Sequence, residues 1–267
     1  MEKTKQIKSV LSIAGSDSSG GAGIQADIKT ITAHKLFATT AITAVTAQNT
    51  TGVFGIHNLP AEFVADQIDC VFSDIPPDAV KIGMVSECPI IEEIADRLSF
   101  YRSKHVVLDP VMVATSGGIL LKPEAIDTLT SCLLPLAELI TPNIPEAQIL
   151  ADRDIDTVED MKQAAVSIAA RFGYDGAILI KGGHLTDSAE DYLFADGDFI
   201  SFPGKHIETP NTHGTGCTLS SAIACNLAIG LPLPKAVQLA KEYVTNALAF
   251  GLEMGHGNGP LNHMYAL

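Results

Sequence analysis

The chain has 267 residues, 46% of them hydrophobic, which is enough to bury a sizeable core and excludes global disorder. Seventeen Lys and Arg against 31 Asp and Glu give a formal net charge of −14, a balance that repels phosphodiester backbones and anionic lipid and argues against nucleic-acid or membrane-surface roles. Any anionic substrate must therefore be held by a local pocket. The polar start MEKTKQIK leads into an apolar stretch, Val10 to Ala14, that is too short for an export signal or a membrane span. Five cysteines (Cys70, Cys88, Cys132, Cys217, Cys225) are widely spaced and lack a C-x-x-C pair. They fit a reducing, cytoplasmic compartment better than a disulfide framework or a zinc cluster.

Short β-branched runs alternate with longer helical patterns, the signature of parallel strands joined by crossover helices. The spacing predicts strands over Val10–Ala14, Thr39–Ala47, Ala79–Met84, His105–Pro110, Leu136–Thr141 and Ala177–Lys181. Helices are expected near Ile24–His34, Ala61–Ser73, Pro89–Tyr101, Pro123–Leu134 and Val158–Phe172, with two more after Gly214. Two excursions interrupt the alternation: Gly52–Leu59, and a hairpin in which Asp196-Gly197-Asp198 joins Tyr192–Phe194 to Phe199–Phe202. Such insertions suit a lid or an edge that pairs with another subunit. No linker, repeat or composition shift divides the chain, so residues 1–267 are expected to form a single α/β domain.

Ligands of open parallel sheets bind beyond the carboxyl ends of the strands, and polar residues collect at those ends. After the first strand comes Ala14-Gly15-Ser16-Asp17-Ser18-Ser19-Gly20-Gly21-Ala22-Gly23. Gly21-x-Gly23-x-x-Ala26 satisfies a relaxed dinucleotide pattern, but the ribose-binding acid about 20 residues on is missing. A P-loop is missing too, so the turn either lets a small planar ligand approach the backbone, with Asp27 offering a carboxylate, or merely caps a helix with Asp27 favouring its N-terminus. A second turn, Asn211-Thr212-His213-Gly214-Thr215-Gly216-Cys217, opens a long apolar helix. Its first-turn N–H groups form an anion site suited to phosphate. There Cys217 would lie at the positive end of the helix dipole, with a lowered thiol pKa and the capacity to act as a general base; its alternative fate is that of a small buried hydrophobe, as expected for Cys225.

Thr141-Pro142-Asn143-Ile144-Pro145-Glu146 sets Asn143 and Glu146 three residues apart. They suit either a hydrated magnesium ion or a helix cap with its acidic partner. Asp109 and Lys181 end two further strands, so these four polar groups are expected to form one site. His184 and His213 lie nearby and are read as turn formers, Gly117-Gly118 as a flexible loop. Val237, Ala240, Val244, Ala247, Leu248 and Gly251 make a helical stripe assigned to core packing.

Taken together these motifs resemble the ribokinase superfamily, specifically the hydroxymethylpyrimidine and phosphohydroxymethylpyrimidine kinases of thiamin biosynthesis. The carriers are Ile13–Thr30, Ala47-Gln48-Asn49-Thr50, Lys81-Ile82-Gly83-Met84, Val106–Met112, Thr141–Ala147, Lys181–His184 and Asn211–Thr218, in the family's order across nearly the whole chain. The resemblance implies a three-layer α/β/α sandwich with a mostly parallel sheet, ATP and Mg2+ as cofactors, and usually a homodimer. It implies phosphorylation of 4-amino-5-hydroxymethyl-2-methylpyrimidine to its monophosphate and then its diphosphate. Gly15, Ala22, Asp27, Gln48, Met84 and Val111 would hold the pyrimidine, with Gly214, Thr215 and Gly216 as the anion hole and Cys217 as the base. Asp109, Asn143, Glu146, Lys181 and Thr212 would serve the nucleotide, the first three of them also the metal. Pyridoxal kinase is the rival reading; Gln48 argues against it, because vitamin-B6-preferring relatives often carry an apolar residue there. The Gly257-Asn258-Gly259-Pro260 turn resembles the family's tail, and the sequence assigns it no role.

Overall fold

The computed structural model describes residues 7–112, 121, 123–183 and 189–266. The Gly117-Gly118 loop and His184 lie outside the described residues. In chain order the elements are β1 (Ser9–Asp17), α1 (Gly23–Ala33), β2 (Phe37–Asn49), β3 (Gly52–Asn58), α2 (Ala61–Asp74), β4 (Ala79–Ile82), α3 (Cys88–Phe100), β5 (Val106–Leu108) and α4 (Pro123–Thr128). There follow β6 (Leu139–Ile140), α5 (Ile144–Ala151), α6 (Val158–Phe172), β7 (Ala177–Ile180), β8 (Asp191–Ala195), β9 (Asp198–Phe202), α7 (Thr215–Ala228) and α8 (Leu233–Ala249).

The nine described strands form one sheet in the order β3-β2-β1-β4-β5-β6-β7-β8-β9. From β2 to β7 the neighbours are parallel; β3 on one edge and the β8–β9 hairpin on the other are antiparallel. The central strands are buried on both faces, which is why their sequences read as continuous apolar runs. Alternate residues serve two cores. Leu11, Ile13, Val80, Ile82, Val106 and Leu108 pack with α2, α3, α5 and α6, whereas Val10, Ala79, Val107, Leu139 and Leu179 pack with α1, α7 and α8. This is the expected three-layer α/β/α sandwich. The chain leaves β1 for β2 on one side and later returns to place β4 on the other, so the strand order reverses there and opens a crevice at the strand ends.

Several boundaries differ from expectation for local reasons. The helix expected over Pro123–Leu134 is regular only to Thr128, then widens into a π turn over Leu129–Leu133 and tightens into a 3-10 turn over Leu134–Leu136. Pro135, with no N–H to give, marks that change. The strand expected over Leu136–Thr141 shrinks to Leu139–Ile140. Helix α5 was foreshadowed only by the possible cap at Asn143 and Glu146; Pro145 sits in its first turn, where a missing N–H costs nothing. The hairpin forms as expected, with Asp196 (φ 53°) and Gly197 (φ 83°) both left-handed, as a type I′ turn requires. The α8 stripe holds for Val237, Ala240, Val244 and Ala247, but Gly251 lies beyond the helix end. Among the described residues no helix is long and apolar enough to cross a membrane.

Candidate active site

A cleft of about 570 Å³ opens beyond the carboxyl ends of the parallel strands. Gly15, Ala22, Gln48, Met84 and Val111 line it, as do Thr212 and Gly214–Cys217. Asp109, Asn143, Glu146 and Lys181 stand opposite on the ends of β5, β6 and β7. Only Asp27, of all the site residues expected from the sequence, is absent from the lining.

Asp17 organises the first Gly-rich turn, a residue whose role sequence reasoning missed. Its carboxylate accepts the Ser19 N–H at 2.8 Å, the Gly21 N–H at 3.1 Å and the Ala22 N–H at 2.8 Å, and it lies 2.8 Å from His213 Nε2. His213 is thus more than a turn former, for it ties the first Gly-rich turn to the second. Burial works against ionisation of Asp17, but the hydrogen bonds from His213 and Ser19 and the backbone N–H groups hold it down to about 2. A depressed carboxyl pKa stabilises the fold above the ordinary value of about 3.9, and that stabilisation fades as pH falls toward 2. Asp17→Asn is therefore expected to remove about 2 kcal/mol of stability at neutral pH and to flatten the acid limb of urea denaturation. An unchanged slope between about pH 4 and 2 would count against the clamp.

Gly15 leaves room for Met84, whose methyl group lies 2.5 Å from where a Cβ would stand, and Met84 so forms an apolar wall of the cleft. Gln48 Oε1 accepts the Thr46 hydroxyl at 3.1 Å, and its amide nitrogen lies 3.3 Å from His213 Nε2. Gly214 caps α7 in a left-handed conformation (φ 86°), and a Cβ there would strike the Gly21 carbonyl. Both Gly-rich turns therefore touch backbone to backbone. No side chain caps the tip of α7, whose residues Gly214–Cys217 line the cleft. A Cβ on Gly216 would stand 3.3 Å from both Asp109 Oδ2 and Lys181 Nζ, so the tip of α7 lies against the strand-end groups.

Lys181 Nζ donates to Asp109 Oδ1 at 3.0 Å, and the Thr141 hydroxyl adds a bond at 3.1 Å. Asn143 and Glu146 form a reciprocal capping box on α5: Glu146 N–H to Asn143 Oδ1 at 2.9 Å, Asn143 N–H to Glu146 Oε2 at 2.8 Å. The cap read from the sequence is therefore formed, and it leaves room for a cation only through water. Burial pushes the Glu146 carboxyl up to about 7, with Lys181 opposing and Asp109 adding to the rise. Among the described residues no group of three or more His, Cys, Asp or Glu is placed to cage a metal.

Two expectations need correction. Asp27 is not at the helix N-terminus but in the second turn of α1, fully buried and facing inward. Its oxygens accept Lys81 Nζ at 2.9 and 2.8 Å, the Ser12 hydroxyl at 2.6 Å and the Ser221 hydroxyl at 2.7 Å. It underpins the floor instead of reading the ligand. Nor is the Cys217 thiol lowered by the helix dipole. Burial pushes it up to about 11; Lys81 opposes, Asp27 and Asp109 reinforce, and the Gly23 N–H hydrogen bond opposes again. Desolvation together with the two nearby carboxylates outweighs Lys81 and the Gly23 N–H, although the half-buried residue still lines the cleft.

The far end was missed altogether. Val244, Thr245 and Leu248 of α8, with Lys205, His206 and Ile207, line a mixed apolar and polar extension of the cleft, so part of the helical stripe lines the cleft as well as packing in the core. Asp191 and Lys241 pair there at 2.6 Å. Nothing in one sequence tells a cleft-facing Leu from a core-facing one at the same helical spacing.

A family model described as phosphomethylpyrimidine kinase matches residues 17–262. The chain belongs to the phosphomethylpyrimidine kinase family. Within that family, a hydroxymethylpyrimidine/phosphomethylpyrimidine kinase of Rhizobium meliloti is 50% identical over 260 residues, covering 96% of each chain. A thiamine biosynthesis bifunctional protein of Geobacter sulfurreducens is 50% identical over 259 residues, which are 97% of this chain and 52% of that protein, so the chain spans about half of it. In three dimensions the chain resembles a Staphylococcus aureus pyridoxal kinase in complex with AMP-PCP and pyridoxal. The TM-score is 0.89 at 33% identity, over 98% of this chain and 95% of that one. The phosphomethylpyrimidine kinase fold is accordingly ribokinase-like, as the motifs implied.

Proposed function

We propose that this chain, acting as one kinase domain, transfers the terminal phosphoryl group of ATP to the hydroxymethyl oxygen of 4-amino-5-hydroxymethyl-2-methylpyrimidine and then to the resulting monophosphate. The observation that carries the reading is the closeness of the α7 tip to the strand-end groups, where a Cβ on Gly216 would stand 3.3 Å from both Asp109 Oδ2 and Lys181 Nζ, so that an uncapped helix N-terminus and a lysine flank one point. Phosphoryl transfer needs chiefly positioning and charge stabilisation, and this point supplies both. In each step the acceptor oxygen bonds to the γ-phosphorus and the bridging oxygen leaves with ADP. The alcohol must also lose its proton.

Lys181 would neutralise charge on the moving phosphoryl group, and Thr212 lies beside the anion hole to meet the nucleotide. The strand-end donors fit a hydrated magnesium ion: two carboxylates, Asp109 and Glu146, crowd together, and burial keeps one of them hard to ionise, a situation that a divalent cation relieves. With Asn143 and Glu146 engaged in the cap, they would hold it through water. When bound, the ion supplies charge neutralisation to the phosphate oxygens. The exposed apolar residues Val45, Phe54 and Ile56 of the β2–β3 hairpin support pairing with a second copy of the chain.

Measuring ADP release with the pyrimidine alcohol and with pyridoxal in parallel tests the assignment. Turnover is expected to favour the pyrimidine; faster turnover of pyridoxal would reverse it. Gln48 offers donor and acceptor together, matching an aminopyrimidine edge, and a site built to hydrogen-bond its substrate rejects analogues that leave its groups unmatched. Gln48→Met is expected to narrow the ratio of kcat/KM between the two acceptors by about tenfold or more, and an unaltered ratio would remove Gln48 from specificity.

A further inference from the structure

The chain beyond α8 takes no part in the chemistry above, yet it touches two turns that frame the cleft. It first crosses the β2–β3 turn, where the Thr50 hydroxyl oxygen accepts the His256 N–H at 3.1 Å and the Gly257 N–H at 3.2 Å. It then joins the turn before α7. The His213 N–H donates to the Gly259 carbonyl at 3.1 Å, the Gly259 N–H donates to the Pro210 carbonyl at 3.2 Å, and His213 and Pro260 form a parallel β-bridge. Further on, His263 Nε2 lies 2.9 Å from the Thr218 hydroxyl, and the His263 carbonyl accepts the Tyr243 hydroxyl at 2.8 Å. These contacts moor the segment to α7 and α8.

Close approach explains its glycines. A Cβ on Gly257 would strike the Thr50 carbonyl, and one on Gly259 would strike the Asn211 side-chain oxygen. Gly255 is left-handed (φ 81°), and a Cβ there would strike the Thr50 side chain. Backbone thus lies flat against residue 50, two positions from Gln48, and against residues 210–213, immediately before the anion hole. The contact of Gln48 with His213 at 3.3 Å depends on the spacing of these two turns, which come from elements more than 150 residues apart in sequence. Holding them at a fixed spacing before substrate arrives reduces the ordering cost of binding.

We propose that Gly255–Pro260 is a positioning strap that holds the Gln48 turn and the anion-hole turn at one spacing, and thereby sets acceptor affinity without touching the acceptor. This rests on the pyrimidine kinase reading of the site. Thr50 does not line the cleft, so Thr50→Val, which removes the acceptor oxygen and keeps the shape, and Thr50→Ser, which keeps the hydroxyl, isolate the strap. Thr50→Val is expected to raise KM for the pyrimidine about fivefold, the low end of what losing two hydrogen bonds costs, with kcat and the KM for ATP near wild type. Amide exchange of residues 48–51 and 211–216 should quicken in the same variant, and Thr50→Ser should restore both properties. Wild-type acceptor KM and exchange in Thr50→Val overturn the strap, as does a rise of both KM values together or a failure of serine to rescue. If the wild-type protein turns over no pyrimidine, the functional reading fails separately, and the exchange measurement still decides for or against the strap.

Discussion

Replacing Cys217 by alanine is expected to slow phosphorylation of the alcohol by about 10²–10⁴-fold, the usual contribution of a positioned base, while slowing phosphorylation of the monophosphate far less. The two acceptors differ in one proton. The monophosphate is already ionised near neutral pH, whereas the hydroxymethyl group must surrender its hydrogen as its oxygen attacks phosphorus. Cys217 is the titratable side chain at the tip of α7, inside the cleft and beside Gly216. Because burial holds the thiol up to about 11, its basic form is scarce at neutral pH and grows as pH rises. The wild-type alcohol step should therefore accelerate between about pH 7 and 9, and that rise should vanish in Cys217→Ala. The monophosphate step should show no such dependence on the thiol. Equal losses in both steps, or a flat alcohol profile in the wild type, would remove the case for Cys217 as base.

The second large effect concerns stability. Lys81→Met is expected to cost about 3–5 kcal/mol, the range found when one member of a buried ion pair is deleted. Lys81 and Asp27 are both fully buried, and each Asp27 oxygen accepts the ammonium. Burial alone pulls the Lys81 ammonium down, but the carboxylate of Asp27, with Cys217 and Asp109 beyond it, carries it above the ordinary lysine range. Removing the lysine leaves a carboxylate in the core with only the Ser12 and Ser221 hydroxyls to face. The double variant Asp27→Leu/Lys81→Met should recover much of the loss, since apolar replacement of a whole buried pair is often neutral or better. Urea midpoints of the two variants settle the point: a Lys81→Met protein as stable as the wild type would mean the pair contributes nothing to the fold.

The strand-to-helix turns were legible in the sequence because their chemistry is local. Asp196-Gly197 announces its hairpin, and Gly214 announces a turn that only a residue without a side chain can make. Asn143 and Glu146 were legible as a pair, although three-residue spacing alone could not separate a cap from a cation site. The Asp17–His213 link joins residues 196 positions apart, and the Lys81–Asp27 pair joins residues 54 apart; neither has a pattern that one sequence can display. Asp27 misled for a related reason: its nearness to a Gly-rich turn says nothing about which side of α1 it occupies. The dipole argument for Cys217 used a true local force and lacked the burial term that outweighs it.

From Thr218 to Ala228 every residue of α7 is buried, so the helix is a rod set through the body of the protein with its tip exposed to the cleft. The tip inherits its coordinates from the whole sandwich and has no slack of its own. Attempts to broaden the range of accepted alcohols should therefore vary the walls contributed by β2 and β4, because reshaping the rod would disturb the scaffold and the chemistry at one stroke.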